Sequence, residues 1–102
     1  MRTLRVFSSG FGSASHPLKW VMKFWYVYIL VSDSLSEHFY VGLTEDLRGR
    51  LAKHNAGEVP HTSKFRPWVI KTAIAFTDQN RAAAFERYLK SGSGRAFAKK
   101  HF

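Results

Sequence analysis

Five side chains in this sequence offer proton handling, anion binding and cation binding: Tyr28, Tyr40, Arg50, His54 and Glu86. Arg50 and His54 are four residues apart, so on a helix they share one face. A guanidinium is a planar, permanently charged fork that suits phosphate. Glu86 precedes Lys90 by four residues, so its carboxylate can serve a divalent cation or close an ordinary helical ion pair. A free phenol, with a pKa of about 10, is a poor base at neutral pH unless something activates it. Each residue also has an ordinary alternative. The tyrosines can be sheet aromatics with hydroxyls at the surface, Arg50 a solvated arginine, and His54 a partner for a helix dipole.

The hydrophobic pattern supplies the elements that must position them. Phe24 to Val31 (FWYVYILV) is aromatic and β-branched throughout, which predicts a largely buried strand. Tyr26, Tyr28 and Leu30 share one face, while Trp25, Val27, Ile29 and Val31 share the other. A polar turn from Ser32 to His38 leads to a second strand, Phe39 to Leu43, returning antiparallel. Thr44 is the expected N-cap of a helix with Glu45 and Asp46 in its first turn and Leu47 and Leu51 as its core stripe. Asn55-Ala56-Gly57 ends that helix. A loop from Glu58 to Pro67 precedes a third strand, Trp68 to Phe76. Thr77-Asp78 caps a second helix from about Gln79 to Lys90 that buries Ala82, Phe85 and Leu89. Ser91-Gly92-Ser93-Gly94 then reads as a break before a short basic helical tail from Arg95 to Phe102. The order is β-β-α-β-α-(α), an α/β (α+β) domain with a small three-stranded antiparallel sheet flanked by helices.

Composition bounds the class. A chain of 102 residues holds one compact domain, and 45% hydrophobic with 16% aromatic content suffices for a core. Sixteen Lys and Arg against seven acids leave a net charge of +9, more than solubility needs, which points to a polyanionic partner. The absence of cysteine excludes disulfides, thiolate metal sites and a cysteine nucleophile, and suits a cytoplasmic protein. No apolar run reaches the roughly 20 residues that span a bilayer, and no basic amphipathic helix argues for a membrane surface. Residues 1–21 carry no acid and four serines, with Gly10, Gly12 and Pro17. They lack a secretory apolar segment, although their Arg- and Ser-containing composition has some transit-peptide character. They are expected to be a disordered N-terminal extension, with Met22 a candidate natural start and 22–102 the folded domain.

Tyr26-Val27-Tyr28 followed by Tyr40-Val41-Gly42 resembles the paired motifs of the GIY-YIG endonuclease superfamily. Arg50, His54 and Glu86 follow in family order, and Glu86 to Arg95 (ERYLKSGSGR) is similar to the small stand-alone bacterial members. The resemblance covers Phe24 to about Phe102 and implies hydrolysis of a nucleic-acid phosphodiester, most simply in DNA, during repair, recombination or processing. By that resemblance Tyr40 is the general base for the attacking water, and Tyr28 orients water or phosphate. Arg50 holds the scissile phosphate, His54 contacts phosphate or nucleophile, and Glu86 is the protein's carboxylate on one Mg²⁺ or Mn²⁺ ion. Such roles meet what the reaction demands, namely charge stabilisation on the equatorial and leaving oxygens. Two departures stand out. Tyr26 replaces the first glycine, and Leu43 stands where several repair-type members carry a lysine, leaving activation of Tyr40 to Arg50, Lys53 or the metal.

The remaining basic residues mark a substrate surface: Lys53, Lys64, Arg66, Arg87, Lys90 and Arg95 are the expected nucleic-acid contacts. Nothing resembles a base-reading helix, so weak sequence specificity is expected. The competing class is a catalytically weak or inactive nucleic-acid-binding module of the same fold. A basic domain for a membrane or protein partner is the third.

Overall fold

The structure is a computed structural model that describes residues 23–35 and 37–102. The expectations for residues 1–21 and for Met22 lie outside the described residues. Three strands, β1 (Trp25–Ser32), β2 (Phe39–Thr44) and β3 (Trp68–Phe76), form an antiparallel sheet in the order β2-β1-β3. Three helices accompany it: α1 (Leu47–Asn55), α2 (Gln79–Leu89) and α3 (Gly92–His101). Among the described residues, no helix is long and apolar enough to cross a membrane.

β1 is central and apolar at almost every position because both of its faces are covered. Tyr28 and Leu30 pack with Trp68 and Ala73 beneath Leu47 and Leu51 of α1. Val27 and Ile29 pack on the other side with Ala82 and Leu89 of α2, joined by Phe85 and by Phe97 and Phe102. The alternation of β1 therefore divides the molecule into two small cores, one under α1 and one under α2 and α3. β2 pairs with β1 so that Tyr28 faces Gly42 and Leu30 faces Tyr40. The β1–β3 register shifts between Ile29 and Leu30, whose partners are Thr72 and Ile70, so β3 accommodates an extra residue there.

Two helix starts differ from the sequence expectation. Thr44 does not cap α1. It still belongs to β2, paired with Tyr26, so the chain is extended there and cannot yet turn into a helix. The cap is Asp46, which accepts from Gly49 N at 3.0 Å, while Thr44 Oγ1 accepts from Asp46 N at 3.0 Å. The chain does break after α2, but only at Lys90 and Ser91, and α3 begins at Gly92 rather than at Arg95. Ser91 caps α3, its Oγ accepting from Gly94 N at 3.1 Å. Gly94 sits so close to the Tyr88 carbonyl that a Cβ there would overlap it. The glycine that reads as a helix breaker is thus a close-packing residue inside the first turn of α3.

The loop between α1 and β3 is held at several points. Asn55 clamps Trp68 through both amide atoms, donating Nδ2–H to Trp68 O at 3.0 Å and accepting from Trp68 N at 2.6 Å. The Trp68 indole donates Nε1–H to Thr62 O at 2.9 Å, and Ser32 Oγ donates to Phe65 O at 2.7 Å. Ser63–Phe65 forms a single 3-10 turn within this loop. The clamp matters because it fixes both the backbone and the depth of Thr62, which is 2% exposed.

Gly42 has no room for a side chain. A Cβ built there would collide with the hydroxyl and ring of Tyr28. Gly42→Ala is therefore expected to cost about 1–3 kcal/mol in urea unfolding, since the phenol has no empty space to enter. A variant as stable as the wild type would show that Tyr28 can step aside freely.

Candidate active site

Tyr28 leaves the middle of β1 with its ring lying across Gly42, which is what the missing side chain permits. It is 2% exposed, and its Oη lies 3.2 Å from His54 Nε2. His54, in the last turn of α1, is 0% exposed, and its Nδ1 lies 2.8 Å from Thr62 Oγ1. The Tyr40 ring packs against the His54 ring with centroids 4.7 Å apart and against that of Tyr28 at 6.3 Å. Three rings from β1, β2 and α1 therefore form one cluster, in which Tyr40 is the member that is only half-buried. Among the described residues the Tyr40 hydroxyl has no hydrogen-bond partner, so it is free for an incoming group.

Electrostatics tie two further residues to the cluster. The Tyr28 phenol is raised well above its ordinary pKa of 10.0, first by burial and then by the neighbouring Tyr40. The Arg50 charge pulls it the other way, and the Glu86 carboxylate adds to the rise. Tyr28 is consequently a protonated hydroxyl at neutral pH and a hydrogen-bonding group rather than a base. His54 is lowered from 6.5, by burial and by Arg50, and stays a neutral imidazole. Arg50 is half-buried, and among the described residues its guanidinium has no ion pair or hydrogen bond. A cation that acts on both Tyr28 and His54 and has no partner among the described residues suits an anion from outside.

Glu86 comes from α2, on the opposite side of the sheet from α1, yet it acts on the Tyr28 hydroxyl. Only β2, an edge strand, lies between Tyr28 and the sheet margin, so groups from both faces meet around it. The Glu86 side chain is 17% exposed and pairs with Lys90 at 2.5 Å. The ordinary helical ion pair is thus formed, and by the same residue that faces the cluster.

The donor set for a metal ion is sparse. Among the described residues no three metal-ligating side chains converge, and Glu86 is the carboxylate whose charge acts on Tyr28. That set suits a hard dication of the Mg²⁺ type, which keeps several waters and takes other oxygens from a phosphate. It does not suit zinc, which needs three or four protein ligands.

The expected basic contacts are dispersed around this centre. Lys53 is exposed on the last turn of α1, and Lys64 lies over the Phe65 ring at 5.8 Å. Arg66 is tied back, donating Nε–H to Ser63 O at 2.6 Å and lying along Gly57. Arg87, Lys90 and Arg95 are exposed on α2 and α3, on the far side of the sheet. Tyr28, Tyr40 and His54 are in contact, while Arg50 and Glu86 act on Tyr28 through their charges. Thr62 is the member of the site that sequence reasoning missed. Nothing marks it within its loop, and only the folded chain carries it to His54.

A three-stranded antiparallel sheet carries the two tyrosines of an α+β domain, with Arg50 and Glu86 supplied by helices on its two sides. The sequence matches the GIY-YIG catalytic domain over residues 24–100, and the chain belongs to that family. Comparison with curated proteins gives no match. Nucleic acid is the substrate class that this domain suggests.

The buried His54 has a thermodynamic signature. Its folded pKa lies below that of the unfolded chain, so unfolding takes up a proton once the solution is acid enough. The stability it contributes is complete above its ordinary value of 6.5 and is lost as the pH falls through the folded value. Urea midpoints between about pH 7.5 and pH 5 should fall less steeply in His54→Gln than in the wild type. Parallel slopes would assign the acid sensitivity to other groups.

Proposed function

We propose that this protein is a divalent-metal-dependent endonuclease that hydrolyses DNA phosphodiesters in repair, recombination or processing. The observation that supports this reading is the Tyr28 hydroxyl beside the Tyr40 and His54 rings, on which the Arg50 and Glu86 charges both act. A scissile phosphate would take the place beside Arg50, whose unpaired guanidinium forms two parallel hydrogen bonds to its oxygens. The Tyr40 oxygen, without a hydrogen-bond partner among the described residues, would take the proton of the attacking water as a phenolate, its own proton having first passed to solvent. Tyr28 holds that water from the inner side, and His54 supports both tyrosines from beneath without reaching the solvent. A Mg²⁺ or Mn²⁺ ion on Glu86 would neutralise the developing charge and acidify bound water. Lys90 must release the carboxylate for that, exchanging one cation for another.

The flanking charges suit a strand that passes over the β2 edge, with Lys53, Lys64 and Arg66 toward one side and Arg87, Lys90 and Arg95 toward the other. DNA rather than RNA is preferred here as the commoner substrate of such chemistry. A cysteine-free composition suits a cytoplasmic location.

Supercoiled plasmid tests this directly. The protein should nick it with Mg²⁺ or Mn²⁺ and stop on chelation. Arg50→Ala and Glu86→Gln should each lose on the order of 10²–10³ in rate, the usual loss for removing one group that stabilises the transition state. Glu86→Gln cleaving at the wild-type rate would refute the metal assignment. Retention of DNA without cleavage, under any divalent ion, would make the chain a binding module instead. Binding itself should weaken with salt, and Arg95→Ala should reduce the slope of log K against log salt by about one unit. An unchanged slope would remove Arg95 from the interface.

A further inference from the structure

We propose that Thr62 is a positioning residue of the site, which fixes His54 in its Nδ1–H tautomer and thereby turns the Tyr28 proton inward. The assignment follows from counting protons along one buried chain. The Thr62 hydroxyl carries one hydrogen and lies 3.3 Å from the Val59 carbonyl oxygen, which can only accept. His54 Nδ1, at 2.8 Å, is the hydroxyl's other protein neighbour, and in this proposal the hydrogen goes to Val59. With the hydrogen so placed, His54 Nδ1 at 2.8 Å from Oγ1 is the donor. A neutral imidazole has a single N–H, so Nε2 carries a lone pair and takes the hydrogen of Tyr28 Oη at 3.2 Å. Burial and the nearby Arg50 charge keep the ring neutral. All three bonds run one way, from Tyr28 through His54 and Thr62 to Val59.

Direction decides what Tyr28 can offer. With its hydrogen inside, the phenol presents only lone pairs outward, which suits a water that must be held by its hydrogen. The opposite tautomer would place N–H on Nε2, make Tyr28 Oη an acceptor from His54, and swing the phenol hydrogen outward toward phosphate oxygens. Thr62 chooses between these two states. It is held for the task, because its carbonyl accepts from the Trp68 indole at 2.9 Å and from Phe65 N at 3.1 Å, and Asn55 clamps Trp68 in turn. The catalytic consequence rests on the nuclease reading, whereas the tautomer does not.

Imidazole nitrogen NMR on histidine-labelled protein, at a pH where His54 is neutral, reads the tautomer directly, with His54→Gln identifying the resonance. The wild type should show a protonated Nδ1 and a bare Nε2. Thr62→Val should convert His54 to the Nε2–H form, and Thr62→Ser should retain the wild-type pattern. Tyr28→Phe should also retain it, because Thr62 and not Tyr28 sets the ring. A wild-type Nε2–H ring, a Thr62→Val protein that keeps Nδ1–H, or a switch in Tyr28→Phe overturns the proposal. The Tyr28→Phe and Thr62→Ser measurements decide it even where Thr62→Val does not fold. In cleavage, Thr62→Val should lower kcat on the order of 10- to 100-fold with KM within about twofold, and Thr62→Ser should restore it. A Thr62→Val loss that falls on KM alone contradicts a positioning role. Absence of cleavage in every protein, wild type included, would refute the nuclease reading while leaving the tautomer result to stand by itself.

Discussion

The ring of Tyr28 lies on the backbone of Gly42 with no room left for a side chain, and the site is arranged around that contact. Because β1 is the central strand, its middle residue is pinned by a ladder on each side, to Gly42 and to Ala73. Both neighbours are small, which opens a slot for one phenol in an otherwise filled core. A phenol so placed cannot ionise at neutral pH, yet its hydroxyl must have a hydrogen-bond partner. His54 is that partner, so one steric constraint demands the next polar group, and that group in turn demands Thr62.

A buried polar chain of this kind is worth keeping only when every member is satisfied. Here the last acceptor is a backbone carbonyl, which closes the chain without a charge. The loop that supplies Thr62 would otherwise be free to vary, but the Asn55 clamp on Trp68 makes it part of the core. Stability and site geometry consequently share the same bonds. The cost of the arrangement falls on Arg50, whose charge has no ion pair or hydrogen bond among the described residues. A group that folding leaves unsatisfied is one that a ligand can satisfy.

Glu86 shows the same logic with the opposite sign. Lys90, one helical turn away, balances the carboxylate in the absence of another cation. Because that ion pair is at the edge of α2 and Lys90 is exposed, the lysine can swing away with little loss, while the carboxylate stays at the edge of the cluster. The site is thus assembled from an anchored interior and two charged groups at its rim, one free and one loosely paired.

Much of this was legible from residue order. The β-branched run of β1, the Leu47 and Leu51 stripe of α1 and the Ala82, Phe85 and Leu89 face of α2 each state their element and its buried side, because periodicity is set by backbone geometry alone. The family was legible as well, since motif order survives in a linear string. Helix starts were less so. Thr44 and Asp46 are equally good caps by type, and only the pairing of Thr44 with Tyr26 decides between them. Ser91 to Gly94 reads as a break because low propensity is local, whereas the contact between Gly94 and the end of α2 is not. The tyrosines, Arg50, His54 and Glu86 were thus determined by the sequence as a set of types. Which of them is buried, which is free, and that Thr62 stands behind His54, were decided by the tertiary structure. Burial, proton direction and electrostatic reach depend on distances between residues far apart in the chain, and such distances exist only once the sheet has closed.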